Sequence, residues 1–255
     1  MSVRRNLLFD IGNTRVKWGL ATDGEIRRTG TISHERLRAQ GWTALTTRLP
    51  SKVDAVLASN VAGPTFATRL SGVIGMHCHS DVHFAHSAAE GFGVINSYKQ
   101  ARKLGVDRWV AMIGARAHSR KALCVVDAGT AVTIDALDQS GQHLGGQILP
   151  GVRLMNAALA KDTSDLPAVK RAASNKTEAL PGFASSTGKA IYSGAMAAVC
   201  GAIERGMRNM KNAGYRPALI LTGGDASRIL AVLDGPAEHR PHLVLEGLAL
   251  MIEGK

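Results

Sequence analysis

The chain has 255 residues, of which 45% are apolar and 20% charged, so it can bury one large core or two modest ones and is neither a disordered nor a fibrous sequence. Its formal charge is +11, yet no Lys/Arg run exceeds two (Arg4-Arg5, Arg27-Arg28, Arg102-Lys103), and aromatics make up only 4%; this speaks against a nucleic-acid partner, which would want a clustered basic stripe or stacking rings. Cys78, Cys124 and Cys200 stand isolated, which excludes a disulfide framework and a C-x-x-C zinc site.

The predicted elements begin with an apolar run, Asn6 to Ile11, that stops at Gly12-Asn13-Thr14; Val16, Trp18 and Leu20 then alternate with Lys17 and Gly19. That is strand, tight turn, strand. Ile26–Ile32 adds a third strand. His34–Leu49 reads as a helix, Val53–Ala58 as a short buried strand, and Pro64–Val73 as a helix with proline in its first turn. His77, His79, His83 and His86 fall on a candidate strand without metal-ligand spacing. Glu90–Asp107 is a glycine-punctuated loop with one helical patch, and Arg108–His118 a helix.

The plan then restarts. Ala122–Val126 is a pure apolar strand ending in Asp127-Ala128-Gly129-Thr130, and Val132, Ile134 and Ala136 alternate after it. A turn at Asp138–Gly141 leads into His143–Leu149, and Pro150-Gly151 opens a helix to about Ala160. Lys161–Ser185 is polar and irregular, predicting a mobile loop; Ser186–Ala213 is a long helix, Ala218–Leu221 a strand, Ala226–Leu233 a helix, and Leu243–Ile252 a closing apolar segment. Two halves built alike, 1–116 and 117–255, point to an internal duplication. No apolar stretch is long enough to span a membrane, and the N-terminal one is broken by Asp10, so a cytosolic chain is expected.

Several glycine-rich turns carry candidate chemistry. In Asp10-Ile11-Gly12-Asn13-Thr14-Arg15-Val16-Lys17 the glycine permits close approach of an anion, Asn13 and Thr14 offer donors to phosphate oxygens, and Lys17 adds a mobile positive charge. Asp10 can hold a hydrated Mg²⁺ beside those phosphates. A plain hairpin turn would use the same residue types. Asp127-Ala128-Gly129-Thr130-Ala131-Val132-Thr133 supplies a second such turn, and two of them facing each other can grip one triphosphate. Thr222-Gly223-Gly224-Asp225 lets backbone approach adenine or ribose, or merely opens a helix. In Gly105-Val106-Asp107-Arg108, Asp107 suits a general base and Arg108 a forked anion contact; an Asp helix cap followed by a surface Arg is the plainer alternative. Gly145-Gly146-Gln147-Ile148-Leu149-Pro150-Gly151 shapes a pocket wall or a strand-to-helix corner. No G-x-x-x-x-G-K-[ST] loop and no G-x-S-x-G elbow occurs.

These five motifs, in this order and over nearly the whole chain, resemble the type III pantothenate kinases of the acetate kinase/Hsp70/actin-like superfamily. The resemblance implies an α/β fold of two duplicated actin/ribonuclease-H-like domains, 1–116 and 117–255, each a mixed sheet with flanking helices, with the ATP cleft between them. It implies ATP-dependent phosphorylation of pantothenate, the first step towards coenzyme A, in a cytoplasmic homodimer. By the same carry-over Asp107 accepts the proton, and Tyr98, Gly105, Val106, Asp107, Arg108 and Thr187 contact pantothenate. Residues Asp10 to Lys17, Thr130, Gly223 and Gly224 bind ATP with Mg²⁺ or a similar divalent ion. Asp127 holds K⁺ or NH₄⁺. Two alternatives stay open: a transcription-associated accessory factor of the same family, and another small-molecule kinase or phosphatase of the superfamily.

Overall fold

A computed structural model describes residues 4–162 and 183–254. The chain divides into two compact units. The first comprises Met1–Arg120, Gln139–Leu144 and His242–Lys255; the second comprises Lys121–Asp138 and Gly145–Pro241.

The first unit opens with β1 (Arg5–Ile11), β2 (Arg15–Thr22) and β3 (Glu25–Ser33), an antiparallel meander in which Asp10 pairs with Lys17 and Ile11 with Val16. Leu7, Leu8, Phe9 and Ile11 are wholly buried, which is why β1 reads as a continuous apolar run: both of its faces are covered. Two short helices follow, α1 (His34–Gln40) and α2 (Thr43–Thr46). The single helix expected over His34–Leu49 is broken because Gly41 takes a positive φ of 72°. Next come β4 (Ala55–Asn60), α3 (Pro64–Cys78) and β5 (Val82–Phe84). The histidines expected on one strand are spread along this stretch. His77 lies in α3, His79 caps it in a left-handed conformation, and His83 lies in β5 with His86 beyond it. A small hairpin, β6 (Glu90–Gly91) with β7 (Val94–Ile95), and a 3₁₀ turn at Ala101–Lys103 lead into α4 (Val106–His118).

In the second unit β8 (Leu123–Ala128), β9 (Ala131–Leu137) and β10 (His143–Pro150) repeat the meander. They are followed by α5 (Val152–Asp162), α6 (Thr187–Asn212), β11 (Ala218–Thr222), α7 (Ala226–Leu230) and β12 (Glu238–His239). Most of the polar stretch read as a mobile loop, 161–185, lies outside the described residues; Lys161 itself belongs to α5.

The two sheets share one plan. Strand order is β3-β2-β1-β4-β5 in one and β10-β9-β8-β11-β12 in the other. In each, the first strand runs parallel to the fourth and the fourth to the fifth. Each sheet has its own core: Phe9, Val16, Ile32 and Ile74 among others in the first, Val126, Ile134, Val199 and Leu221 in the second. The last helix, α8 (Leu243–Glu253), does not continue the second unit. It packs on β1, β4 and α4 of the first. Two glycines permit this crossing: a Cβ on Gly114 would lie 2.5 Å from the Leu243 carbonyl oxygen, and one on Gly247 would lie 2.1 Å from that of Val110. The compact units differ from contiguous halves at Gln139–Leu144 and at the C-terminal helix. No described helix is long and apolar enough to cross a membrane.

Candidate active site

In a sheet of this kind the carboxyl ends of the parallel strands are where a ligand is met. The first turn stands there, between β1 and β2. The Gly12 amide donates to the Arg15 carbonyl at 3.1 Å, and the Thr14 carbonyl accepts from the His34 amide at 2.9 Å, which ties the turn to the start of α1. Asp10 is buried, and Lys17 Nζ lies 3.8 Å from its Oδ2. Gly12 does not adopt a positive φ, and a Cβ there would meet nothing nearer than the Arg15 carbonyl oxygen at 3.6 Å. The turn itself thus does not demand glycine. What the glycine leaves is open backbone, suited to an approaching phosphate.

Three of the glycine motifs converge in the second unit. The Gly129 amide bonds the Ala131 carbonyl at 3.0 Å, closing the turn between β8 and β9. Gly151 donates to the Thr130 carbonyl at 2.9 Å, and a Cβ on it would sit 2.4 Å from the Gly129 oxygen. From the other side Gly223, with φ of 98°, approaches so closely that a Cβ would lie 2.5 Å from Asp127 Oδ1 and from the Ala128 backbone. Asp225 donates its amide to the Ala128 carbonyl at 3.0 Å and takes an ion pair from Arg228. Asp127 and Thr130 are half-buried, and Gly224 is exposed beside them. Thr187 stands exposed as the first residue of α6.

The third group lies where the glycine-punctuated loop meets α4. The helix starts at Val106, earlier than the expected Arg108, so Gly105 is the N-cap and Asp107 sits inside the first turn. Asp107 Oδ1 accepts from the Arg108 amide at 2.8 Å and folds back over Gly105, where a Cβ would be 2.7 Å away. Arg108 is buried; its Nη1 donates to the Tyr98 hydroxyl at 3.0 Å, and its guanidinium lies 5.8 Å from the Tyr98 ring centroid. Tyr98 stacks on His143, whose Nδ1 is 3.0 Å from Ser97 Oγ. Asn96 pins the loop through the carbonyls of Ala88 and Ala101. Tyr98, Gly105, Val106, Asp107 and Arg108 are thereby gathered in one place, in the first unit. His143 and Asn96, which hold Tyr98, escaped the sequence reading; the signal is faint, a buried histidine at a strand start and an Asn before Ser-Tyr.

The described residues contain no group of three or more His, Cys, Asp or Glu placed to hold a metal. A Mg²⁺ that accompanies a nucleotide is held by one or two carboxylates plus substrate phosphates. Asp10 is such a carboxylate at an open turn. All three cysteines are free and buried; burial first, and Asp135 second, push the Cys124 thiol up to about 12, which keeps it unreactive. A cavity of about 880 Å³ borders Lys121, Pro217 and Pro236, before the starts of β8, β11 and β12, so it lies at the wrong end of the strands for this site.

Duplicated mixed sheets, each with a glycine turn at the carboxyl end of its first strand, define an α/β fold of the acetate kinase/Hsp70/actin-like class. Solved structures bear out the fold. A chain from Campylobacter jejuni described as a candidate Baf family transcriptional activator aligns with a TM-score of 0.60 at 21% identity, over 97% of both chains. The activator of 2-hydroxyisocaproyl-CoA dehydratase from Clostridium difficile, with bound ADPNP, aligns at 0.52 and 14%, over 97% of this chain and 93% of that one. At such identities the likeness concerns fold alone. Sequence relatives go further. The type III pantothenate kinase model matches residues 6–209. Type III pantothenate kinases from Nitrosococcus oceani and Aromatoleum aromaticum are 34% and 39% identical, covering 95% and 96% of this chain and 92% and 96% of theirs. The chain belongs to the type III pantothenate kinase family, and so is a kinase; the transcription-associated alternative is not favoured.

Proposed function

We propose that this chain transfers the γ-phosphate of ATP to the primary hydroxyl of pantothenate, the entry step to coenzyme A, with Asp107 as proton acceptor. The observation that carries the assignment of roles is the grouping of Asp107, Arg108 and Tyr98. A half-buried carboxylate stands beside a buried guanidinium that is already braced by a phenol. Pantothenate is an anion with a hydroxyl at its other end. Arg108 suits the anion or another acceptor on the substrate, and Asp107 the hydroxyl.

Phosphoryl transfer asks little covalent chemistry of a protein, so positioning and charge neutralisation dominate. The open backbone at Gly12, with Asn13, Thr14 and Arg15, offers donors to phosphate oxygens, and Ile11 and Val16 anchor that turn in the core. Lys17 adds a positive charge. Thr130 serves from the second turn, and Gly223 and Gly224 offer backbone to the nucleoside. Asp10 would hold a divalent ion, which would supply charge neutralisation on the transferring group, and Asp127 would hold a monovalent ion, K⁺ or NH₄⁺. Thr187 is a further pantothenate contact. Assembly as a homodimer is part of the reading. It is supported by apolar side chains that face solvent on β10 and α5: Ile148 is 64% exposed, Leu154 44% and Leu159 43%. A cytoplasmic place follows from the need for ATP and suits three free thiols.

The test is Asp107→Asn. It is expected to fold as the wild type does and to lose about 10²- to 10⁴-fold in kcat with ATP and pantothenate, with KM for pantothenate nearly unchanged. Near-wild-type kcat would remove Asp107 from the role of base. A panel of pantothenate, sugars and acetate separates this substrate from those of other kinases of the fold.

A further inference from the structure

The two sheets repeat one more feature, and no motif announced it. Ser59, next to last in β4, is in register with Asp10, and Thr222, the last residue of β11, is in register with Asp127. In-register residues of neighbouring parallel strands project from the same face of a sheet, so each hydroxyl lies beside its aspartate. Ser59 is fully buried and Thr222 is 1% exposed. Neither hydroxyl oxygen has a hydrogen-bond partner among the described residues. In the second unit the aspartate also leans towards the strand that carries the hydroxyl: Asp127 Oδ1 comes within 2.5 Å of where a Cβ on Gly223, the next residue after Thr222, would stand.

A buried hydroxyl without a partner destabilises a fold, and alanine or valine would fill either position at lower cost. One such position is an accident of packing. Two, at equivalent registers of a duplicated sheet and each beside the carboxylate of a phosphate-type turn, call for a use in the loaded state. We infer that Ser59 and Thr222 are a matched pair of positioning residues. Each donates its hydroxyl proton to the carboxylate of the neighbouring aspartate once a cation draws on that carboxylate, fixing the orientation in which Asp10 and Asp127 meet their ions. This rests on the proposed roles of Asp10 and Asp127 as cation-binding carboxylates.

The pair is tested by thermal unfolding of the full chain with and without Mg²⁺ plus a non-hydrolysable ATP analogue, in K⁺ and in a K⁺-free buffer. Thr222→Val and Ser59→Ala are expected to melt at or above the wild-type temperature without ligand, because each removes an orphan hydroxyl. Their ligand-induced rise in Tm should shrink, corresponding to about tenfold weaker binding, the loss of one charge-assisted hydrogen bond. The deficit should fall on the K⁺-dependent part for Thr222→Val and on the Mg²⁺–nucleotide part for Ser59→Ala. Thr222→Ser should restore the rise. Variants that melt lower without ligand yet gain as much from it as the wild type would show that the hydroxyls only fill space, and would overturn the inference alone. A wild type that gains nothing from Mg²⁺ and the nucleotide analogue would overturn the cation-binding reading and the inference with it.

Discussion

The turn after β1 and the turn after β8 occupy the same place in two copies of one sheet, yet they are built to different tolerances. The first is one residue longer: Asn13 has no counterpart between Gly129 and Thr130. Asp10 faces Lys17 across its hairpin, whereas Asp127 faces Thr133. A Cβ on Gly12 or on Gly129 would meet only ordinary contacts, 3.6 Å and 3.4 Å at the nearest, but the second turn is hemmed in by Gly151 and Gly223, neither of which could carry a side chain without striking the backbone of Ala128, Gly129 or Thr130. The lysine opposite Asp10 adds positive charge beside the position proposed for the metal–triphosphate. On the proposed reading, the carboxylate opposite the threonine serves a monovalent cation. Duplication supplied the frame, and on the proposed roles the differences at these positions divide the labour.

The largest expected effect tests that division directly. Asp10→Asn should lower kcat by about 10³-fold through loss of charge neutralisation at the transferring group, without a comparable change in K⁺ activation. Equal losses in Asp10→Asn and Asp127→Asn, with the same response to K⁺, would erase the distinction between the turns.

The two glycines should part company next. Gly223→Ala puts a Cβ 2.5 Å from backbone at a positive φ, and is expected to destabilise the second unit by about 3 kcal/mol, read as a fall in Tm. Gly12→Ala meets nothing closer than 3.6 Å and should fold within about 1 kcal/mol of the wild type while raising KM for ATP roughly tenfold. If Gly12→Ala proves the more destabilising of the two in chemical denaturation, the first turn is not the open one.

The smallest effect belongs to Thr133→Lys, which gives the second turn the charge of the first. It should reduce the stimulation by K⁺ or NH₄⁺ a few-fold, with a tethered ammonium standing in for the ion. Unaltered cation dependence in steady-state assays would argue against a cation at Asp127.

How much of this was legible beforehand follows from what a linear pattern can encode. The alternation of Val16, Trp18 and Leu20 and the apolar run of β8 set strand faces locally, so the two hairpins and their turns stand where the pattern puts them. The motif Gly105–Arg108 was readable, and the structure adds that Tyr98 braces Arg108. The break at Gly41 was missed because the conformation of one glycine ends a periodicity that the flanking residues continue. His143 beneath Tyr98, Ser59 beside Asp10 and Thr222 beside Asp127 depend on strand register and on contacts across long stretches of chain, and no local spacing records those.

The seat of α8 bears on how the chain is made. Residues 243–253 leave the ribosome after every residue of the second unit, yet they finish the first, slotting Gly247 against Val110 in α4 and covering β1 and β4. During synthesis the first sheet must therefore wait with one apolar face uncovered while the second unit is completed. Over that interval the uncovered face is the kind of apolar surface that chaperones bind, and loss of residues 243–253 would strike the first unit, which holds Asp10 and Asp107, rather than the sheet it directly follows.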